Sequence, residues 1–328
     1  MILSRKELHS TKKMSTMKKV LLSVVIALVV LTAGVGVYAY SIWNKVNETT
    51  EKIHKEIKKT KKRQEVVSVK KMEPFSILLM GVDHRKGDVG RADSMIVLTV
   101  NPEKKTTKML SIPRDTYGEI VGKNKKDKLN HSYAFGGVQM TVDSIENFLN
   151  IPIDYYLEVN MEGFKDIVDA VNGVDVVNDL DFTYQGIHFS KGPLHLNGKK
   201  ALTYSRMRKQ DTRGDFGRQM RQRQVIEAVI KKGASVSSLT NYQTILSAIE
   251  KNVVTNLGFN DMVSIQQDYK DASSSIEELK IDGENKRMNG IYYFFVTDEE
   301  RNYLSTLLRN HLELNLEQNK TDVGTDGK

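Results

Sequence analysis

The stretch FSILLMGVDHRKGDVGRADSMIVLTV, residues 75–100, decides the fold. Its two ends, FSILLMGV (75–82) and SMIVLTV (94–100), are apolar runs of strand length, and a loop crowded with charge separates them. A third run, TKMLSIP (107–113), closes on Pro113. Strands without polar alternation suit a sheet covered on both faces. Helical spacing follows at once: in GGVQMTVDSIENFLN (136–150), Val138, Val142, Ile145 and Leu149 recur every three or four residues. The strand-like YYLEV (155–159) precedes the helical MEGFKDIVDAV (161–171), then come GVDVV (173–177) and a polar stretch read as loop through Asn197. A helix is predicted from Phe216 to Lys232 with Gly233 as its cap. Further helices are predicted in NYQTILSAIEKNV (241–253) and DEERNYLSTLLRNHLEL (298–314), with a strand in IYYFFV (291–296). Alternating strands and helices imply an α/β fold, a layered α-β-α domain with a mixed central sheet.

Upstream of the domain, VLLSVVIALVVLTAGVGVYAYSIW (20–43) carries no charge and is long enough to cross a bilayer, where about 20 apolar residues suffice. Tyr38, Tyr40 and Trp43 gather at its far end, as an interfacial belt does. A cleaved signal peptide has a shorter apolar region, so the run is read as an uncleaved anchor, one transmembrane helix. Residues 1–19 hold six basic side chains against five in the first 17 residues after the span, which favours the amino end inside the cell. The resulting organisation is a cytoplasmic segment (1–19), the anchor (20–43), a lysine-rich stalk read as helical (44–73), an extracellular domain (74–311) and a disordered tail (312–328).

The chain has 328 residues and a formal net charge of +8, which calls for an anionic partner without choosing among nucleic acid, membrane, phosphorylated substrate and acidic polymer. It contains no cysteine, so disulfides, thiolate nucleophiles and thiolate-bound zinc are excluded. No phosphate loop of the Walker type, GxGxxG after a strand, GxSxG or HExxH occurs.

Three charged clusters lie where strands end and loops begin. The first loop holds Asp83, Arg85, Asp88, Arg91 and Asp93; Arg114 and Asp115 follow the third strand. The third cluster, RMRKQDTRGDFGRQMRQRQ (206–224), packs six arginines with only two acids. In open α/β sheets ligands favour the crevice beyond the strand carboxyl ends, where Asp83 and Arg114 belong. Arg218, Arg221 and Gln222 share one helical face with no acid three or four residues ahead of them, so an external anion is the economical neutraliser. Arginine's fixed charge and planar fork suit phosphate oxygens. Against this stands a face of solvated or internally paired arginines, and against a metal at Asp83 and Asp93 stand ordinary turn and capping roles.

Taken together, ILLMGVDHR, GRADSMIVLTVNP, MLSIPRDTY, KLNHSYAFGG, YSRMRKQD and GDFGRQMRQRQ resemble, in order and over residues 74–233, the motifs of the LytR-CpsA-Psr family and of its wall teichoic acid transferases. RQRQ at 221–224 departs from the motif by the extra Arg223. The resemblance implies an extracytoplasmic phosphotransferase that moves an anionic glycopolymer from a polyprenyl diphosphate carrier to a peptidoglycan hydroxyl, assisted by Mg²⁺. It implies that Asp83 and Asp93 are the metal-side carboxylates and, with Arg114, the catalytic set. Arg85, Arg114, Arg206, Arg208, Arg218 and Gln222 are implied as holders of the diphosphate, with Lys128, Asn130 and Arg221 as further contacts. The implied partners are the lipid-linked polymer, peptidoglycan and the membrane, with no nucleic acid. Two other readings are a non-catalytic anchor that binds lipid diphosphates or acidic polymer, and a nucleic-acid binder.

Overall fold

Three apolar runs become the middle of one sheet in the computed structural model, which describes residues 40–41, 43–45, 47–58, 62–63, 65–83, 89–235 and 250–314. The chain divides between Glu48 and Thr49 into two units, and the fold lies in the second. The expected span Val20–Trp43 lies outside the described residues apart from Tyr40, Ser41 and Trp43. Among the described residues no helix is long and apolar enough to cross a membrane. The expected tail lies outside them from residue 315 onward.

The elements run in order as β1 (Phe75–Val82), β2 (Ala92–Asn101), β3 (Thr106–Ile112), β4 (Tyr117–Ile120), β5 (Lys125–Lys128), α1 (His131–Leu149), β6 (Tyr155–Asn160) and α2 (Met161–Ala170). There follow β7 (Val174–Asn178), β8 (Phe182–Tyr184), β9 (Ile187–Phe189), β10 (Gly192–Leu196), α3 (Gly198–Arg206) and α4 (Asp215–Ser235). The chain then forms β11 (Val253–Thr255), α5 (Phe259–Asp268), β12 (Ile276–Leu279), β13 (Glu284–Met288), β14 (Ile291–Phe295) and α6 (Asp298–His311). Six strands make the central sheet in the order β11-β6-β1-β2-β3-β12. It is mixed, as expected: β1, β2 and β3 form an antiparallel meander, whereas β6 joins β1 and β12 joins β3 in parallel.

Successive side chains of a strand point to opposite faces, and here both faces are buried. Leu78, Met80, Val97, Leu110 and Ile112 pack with Val142, Ile145 and Leu149 of α1 and with Leu304 and Leu308 of α6. Ile77, Ile96, Leu98 and Met109 pack on the other side with Ile226 and Ile230 of α4 and with Met262 and Ile265 of α5. Each fully buried aliphatic side chain contributes roughly 1.5–3 kcal/mol, which explains why these strands read as unbroken apolar runs. A third cluster joins α2, β7–β10, α3 and Val225 of α4, and it carries the arginine segment.

Three expectations meet a different structure. The stretch read as loop before Asn197 holds β8, β9 and β10, three to five residues each; Gln185 and Gly186, with φ of 50° and 75°, turn β8 into β9. Segments that short leave little periodicity to read. Helix α4 passes through Gly233 and is described to Ser235. The lysine-rich segment is helical in its described residues as far as Ile53, and then pairs with the domain instead: Lys55 N–H donates to Thr255 O at 2.8 Å, and Arg63 Nη2 reaches Asp154 Oδ2 at 3.1 Å. A buried carboxylate that also accepts from Ser76 N–H and Oγ outweighs local helix propensity there. Of the helix expected at 241–253, only Glu250 to Val253 are described, helical through Asn252 with Val253 opening β11.

Candidate active site

Antiparallel pairing of β2 with β3 sets Met95 opposite Ile112, so the start of one strand meets the end of the other. Asp93 and Arg114, 21 residues apart, are thereby brought face to face, with Arg114 Nη1 donating to Asp93 Oδ1 at 3.0 Å. Pro113, which has no N–H to extend the ladder, ends β3 just before Arg114. β1 is antiparallel to β2, with an irregularity between Gly81 and Val82, so Asp83 leaves the sheet at the end where Asp93 enters it.

The first three turns of α4 close this end of the sheet. Asp93, Ser94, Ser111, Arg114, Asp215, Arg218, Gln219 and Gln222 line a small polar cleft, together with Met95, Ile96 and Ile112. Spacings of three and four aim Asp215, Arg218, Gln219 and Gln222 the same way. Arg218 Nη2 lies 2.6 Å from Asp215 Oδ1, Gln219 Nε2 donates to Asp215 Oδ2 at 3.0 Å, and Ser94 Oγ donates to Gln222 Oε1 at 3.3 Å. Arg218 Nε is buried with no hydrogen-bond partner among the described residues.

The two guanidinium groups differ in electrostatic standing. Burial works against the charge of Arg114, but Asp93 first, then Asp115 and Asp215, hold its pKa above the ordinary arginine value. Burial pushes Arg218 below that value; Asp215 opposes this, while nearby Arg114 and Arg208 add repulsion. Arg218 is therefore the group that gains most from an incoming anion, and its unpartnered Nε is a donor seeking an acceptor.

Three other arginines of the segment are neutralised from within. Arg221 is fully buried; its Nη1 meets Asp211 Oδ2 at 2.7 Å and its Nη2 donates to Met207 O at 2.6 Å. Arg213 bridges Asp179 and Asp211, and Arg223 Nε donates to Glu278 Oε2 at 2.7 Å. Gly217 permits this arrangement, because a Cβ there would sit 2.0 Å from Asp211 Oδ2. Arg221 thus lies in the core beneath the cleft, apart from its lining. Arg206 and Arg208 are exposed and make no ion pair among the described residues.

Lys128 and Asn130 act from behind. Lys128 Nζ is 2.6 Å from Asp115 Oδ1, and Asp115 Oδ2 is 3.7 Å from Arg114 Nε, so a charge chain runs Asp93–Arg114–Asp115–Lys128. Asn130 N–H donates to Arg114 O at 3.3 Å, and its buried Oδ1 has no hydrogen-bond partner among the described residues. Arg85 lies outside the described residues. The structure therefore brings together Asp93, Arg114, Arg218 and Gln222, sets Asp83 at the same sheet end and places Lys128 and Asn130 behind. Asp215, Gln219 and Ser94 were not singled out from sequence. Asp215 stood three residues before Arg218, a spacing that pairs opposite charges on a helix.

Among the described residues no group of three or more His, Cys, Asp or Glu side chains is placed to hold a metal ion. A Mg²⁺ shared with phosphate oxygens and water needs one or two carboxylates, and Asp83 and Asp93 supply that number at one sheet end.

Comparison with known proteins agrees with these motifs. The LytR_cpsA_psr family matches residues 40–310. A Bacillus anthracis protein named polyisoprenyl-teichoic acid–peptidoglycan teichoic acid transferase TagU is 56% identical over 299 residues, covering 90% of this chain and 99% of its own. The crystal structure of B. subtilis TagU is similar with a TM-score of 0.61 at 48% identity, covering 73% of this chain and 97% of that one. A structure of TagT bound to LIIa-WTA is similar with a TM-score of 0.69 at 34% identity, covering 78% and 97%.

Proposed function

This chain belongs to the LytR-CpsA-Psr family, and we propose that it is a transferase that moves a wall-teichoic-acid-type glycopolymer from a polyprenyl diphosphate carrier to a hydroxyl of peptidoglycan. The apolar run Val20–Trp43 holds it in the membrane with the catalytic domain outside. One observation carries the reading: Asp93, Arg114, Arg218 and Gln222, drawn from three elements, converge on one polar cleft, and Arg218 brings an unpartnered buried donor to it.

Arg114 and Arg218 hold the diphosphate oxygens, and Gln222, steadied by Ser94, orients them. The exposed Arg206 and Arg208 meet the ligand at the rim. The acceptor hydroxyl oxygen forms a bond to the phosphorus nearer the polymer. The bond from that phosphorus to the bridging oxygen breaks, and its electron pair leaves on polyprenyl phosphate. The hydroxyl proton passes to Asp93 or Asp83. Asp83 and Asp93 are the residues that would hold a Mg²⁺, which would supply charge neutralisation. Arg114 and Arg218 stabilise the charge that develops as the bridge opens, which is positioning and electrostatics with little covalent work.

The test is transfer by the full-length protein from a purified lipid-diphosphate polymer to peptidoglycan, with release of polyprenyl phosphate measured beside it. Release that needs Mg²⁺ and is lost in Arg114→Ala is the expected result. Tight lipid-diphosphate binding without any release identifies a non-catalytic binder and overturns the reading.

A further inference from the structure

The charge chain that leaves the cleft through Arg114, Asp115 and Lys128 ends on a hairpin that the chemistry above does not use. In β4 and β5, Tyr117 pairs with Lys128, Gly118 with Asp127, Glu119 with Lys126 and Ile120 with Lys125. The hairpin and its turn carry Lys123, Lys125, Lys126 and Lys128, and two carboxylates that are turned to other work. Asp127 Oδ2 is 3.1 Å from His131 Nδ1, and Glu119 Oε2 accepts from Asn147 Nδ2 at 3.2 Å. Lys125 keeps only a long contact to Asp127 at 3.4 Å; Lys123 and Lys126 are exposed and make no ion pair among the described residues.

These lysines stand on a fixed platform. Gly122 and Asn124, with φ of 84° and 50°, make the tight turn that presents Lys123. Val121 N–H donates to Ser144 Oγ of α1 at 3.1 Å, and Leu129 fills the space that a side chain on Gly118 would take. Tyr117 packs edge-on against Tyr293 at 5.2 Å and beside Phe295 at 4.9 Å, which ties the hairpin to β14. Lys125 Nζ and Lys123 Nζ sit 4.2 and 5.8 Å from the ring centre of the part-exposed Phe135. Like charges held this close in a rigid array repel, and a multivalent anion relieves that cost at several points at once.

We infer that the β4–β5 hairpin is a second anion subsite, which holds the phosphodiester chain of the polymer while its diphosphate end lies in the cleft. The inference rests on the transferase reading and extends it to the far part of the substrate. A phosphodiester chain fits better than a membrane surface because the hairpin continues the charge chain of Arg114 and shares its backbone, Leu129 N–H bonding Thr116 O at 2.8 Å. Binding the remote chain here raises the efficiency of long donors over short ones.

The experiment uses the full-length protein in detergent with Lys123→Glu, Lys125→Glu and Lys126→Glu combined, all exposed positions outside the cleft. Two donors are compared, a lipid diphosphate bearing one repeat and one bearing many phosphodiester repeats. For the long donor kcat/KM falls about tenfold at low salt and the difference shrinks as salt is raised, because screened charges carry the effect. The one-repeat donor is transferred as by the unsubstituted protein. Binding of a lipid-free poly(glycerol phosphate) is measured beside it and weakens about tenfold as well. That arm keeps the subsite testable if the unsubstituted protein transfers neither donor, a result that overturns the transferase reading instead. Equal loss with both donors, or unchanged polymer binding, overturns the subsite. Loss of binding to phosphatidylglycerol vesicles with unchanged donor-length dependence overturns it in favour of a membrane-facing hairpin.

Discussion

Replacing Asp211 with asparagine removes the carboxylate that neutralises the fully buried Arg221. The Asp211 side chain is 2% exposed and that of Arg221 0%, and they meet at 2.7 Å. Arg221 keeps only Met207 O, at 2.6 Å, and the faces of Phe182 and Tyr204, whose ring centres lie 5.5 and 5.9 Å away. Breaking a buried pair by deleting one partner costs about 3–5 kcal/mol, because the other charge is left unpaired. For a domain of this size that lowers Tm by roughly 6–15 °C. Arg221→Met is milder, about 1–3 kcal/mol, since Asp211 keeps Arg213 Nε and Nη2, both at 2.9 Å. The double variant Asp211→Asn/Arg221→Met leaves no stranded charge at Arg221 and recovers more than half of the loss seen in Asp211→Asn alone. Thermal melts of the four full-length proteins in detergent, followed by circular dichroism, read this cycle. Asp211→Asn melting within two degrees of the unsubstituted protein, or strictly additive losses, would show that the pair is not what holds the loop against α4. The same pair has an acid signature. Burial works to raise the Asp211 pKa, but hydrogen bonds from Arg213 and Arg221 hold it well below the ordinary carboxylate value. Its contribution is therefore present above the unfolded value and lost as pH falls through the acid range towards the folded one.

Arg114→Ala lowers transfer by about 10²–10³-fold, whereas Arg223→Ala, which removes a side chain that does not itself line the cleft and touches it only through Ser111, changes it several-fold at most; equal losses in the transfer assay overturn the ranking. His311, held between Thr99 Oγ1 at 2.8 Å and Thr106 Oγ1 at 2.9 Å, has its pKa pushed down to about 4 by burial, then by Lys108 and Lys104. The unfolded ring takes its proton near pH 6.5, so stability falls as pH drops from about 6.5 to 4, by roughly 3 kcal/mol at ~1.4 kcal/mol per pH unit, and urea titrations of His311→Gln lack that slope. Gly217→Ala forces its Cβ into Asp211, loosens the Arg221 pair and costs about 1–3 kcal/mol; denaturation at or above the stability of the unsubstituted protein counts against the close approach.

The sheet was legible because its strands are buried on both faces and so lose the polar alternation that hides shorter strands. That signal is strong in residues 75–82, 94–100 and 107–113 and absent from β8 and β9, three residues each. The pairing that brings Asp93 to Arg114 follows from an antiparallel meander, and two runs joined through one loop announce it. What the sequence hides is charge pairing over distance. Asp211 folds back ten residues onto Arg221, Asp179 reaches Arg213 from the stretch after β7, and Glu278 reaches Arg223 from β12. Inspection at helical spacing finds no acid ahead of Arg221, and infers an external anion for a charge that the tertiary fold already neutralises.

That division changes what the arginine segment says about function. Three of its six arginines, Arg213, Arg221 and Arg223, brace α4 against the side cluster and the sheet edge, where carboxylates of the fold already meet their charges. Arg218 and Arg114 face the cleft, but each already holds a carboxylate, Asp215 and Asp93. On the proposed function a diphosphate is received by exchange, and at Arg114 it gains only the excess of its own attraction over that of Asp93. The larger gain is at Arg218, where burial, the repulsion of Arg114 and Arg208 and an unpartnered Nε all favour a new acceptor. Selectivity for a doubly charged ligand follows from this arrangement. One phosphate can satisfy Arg218 alone, but only a ligand with a second phosphate reaches Arg114 at the same time and repays the displacement of Asp93.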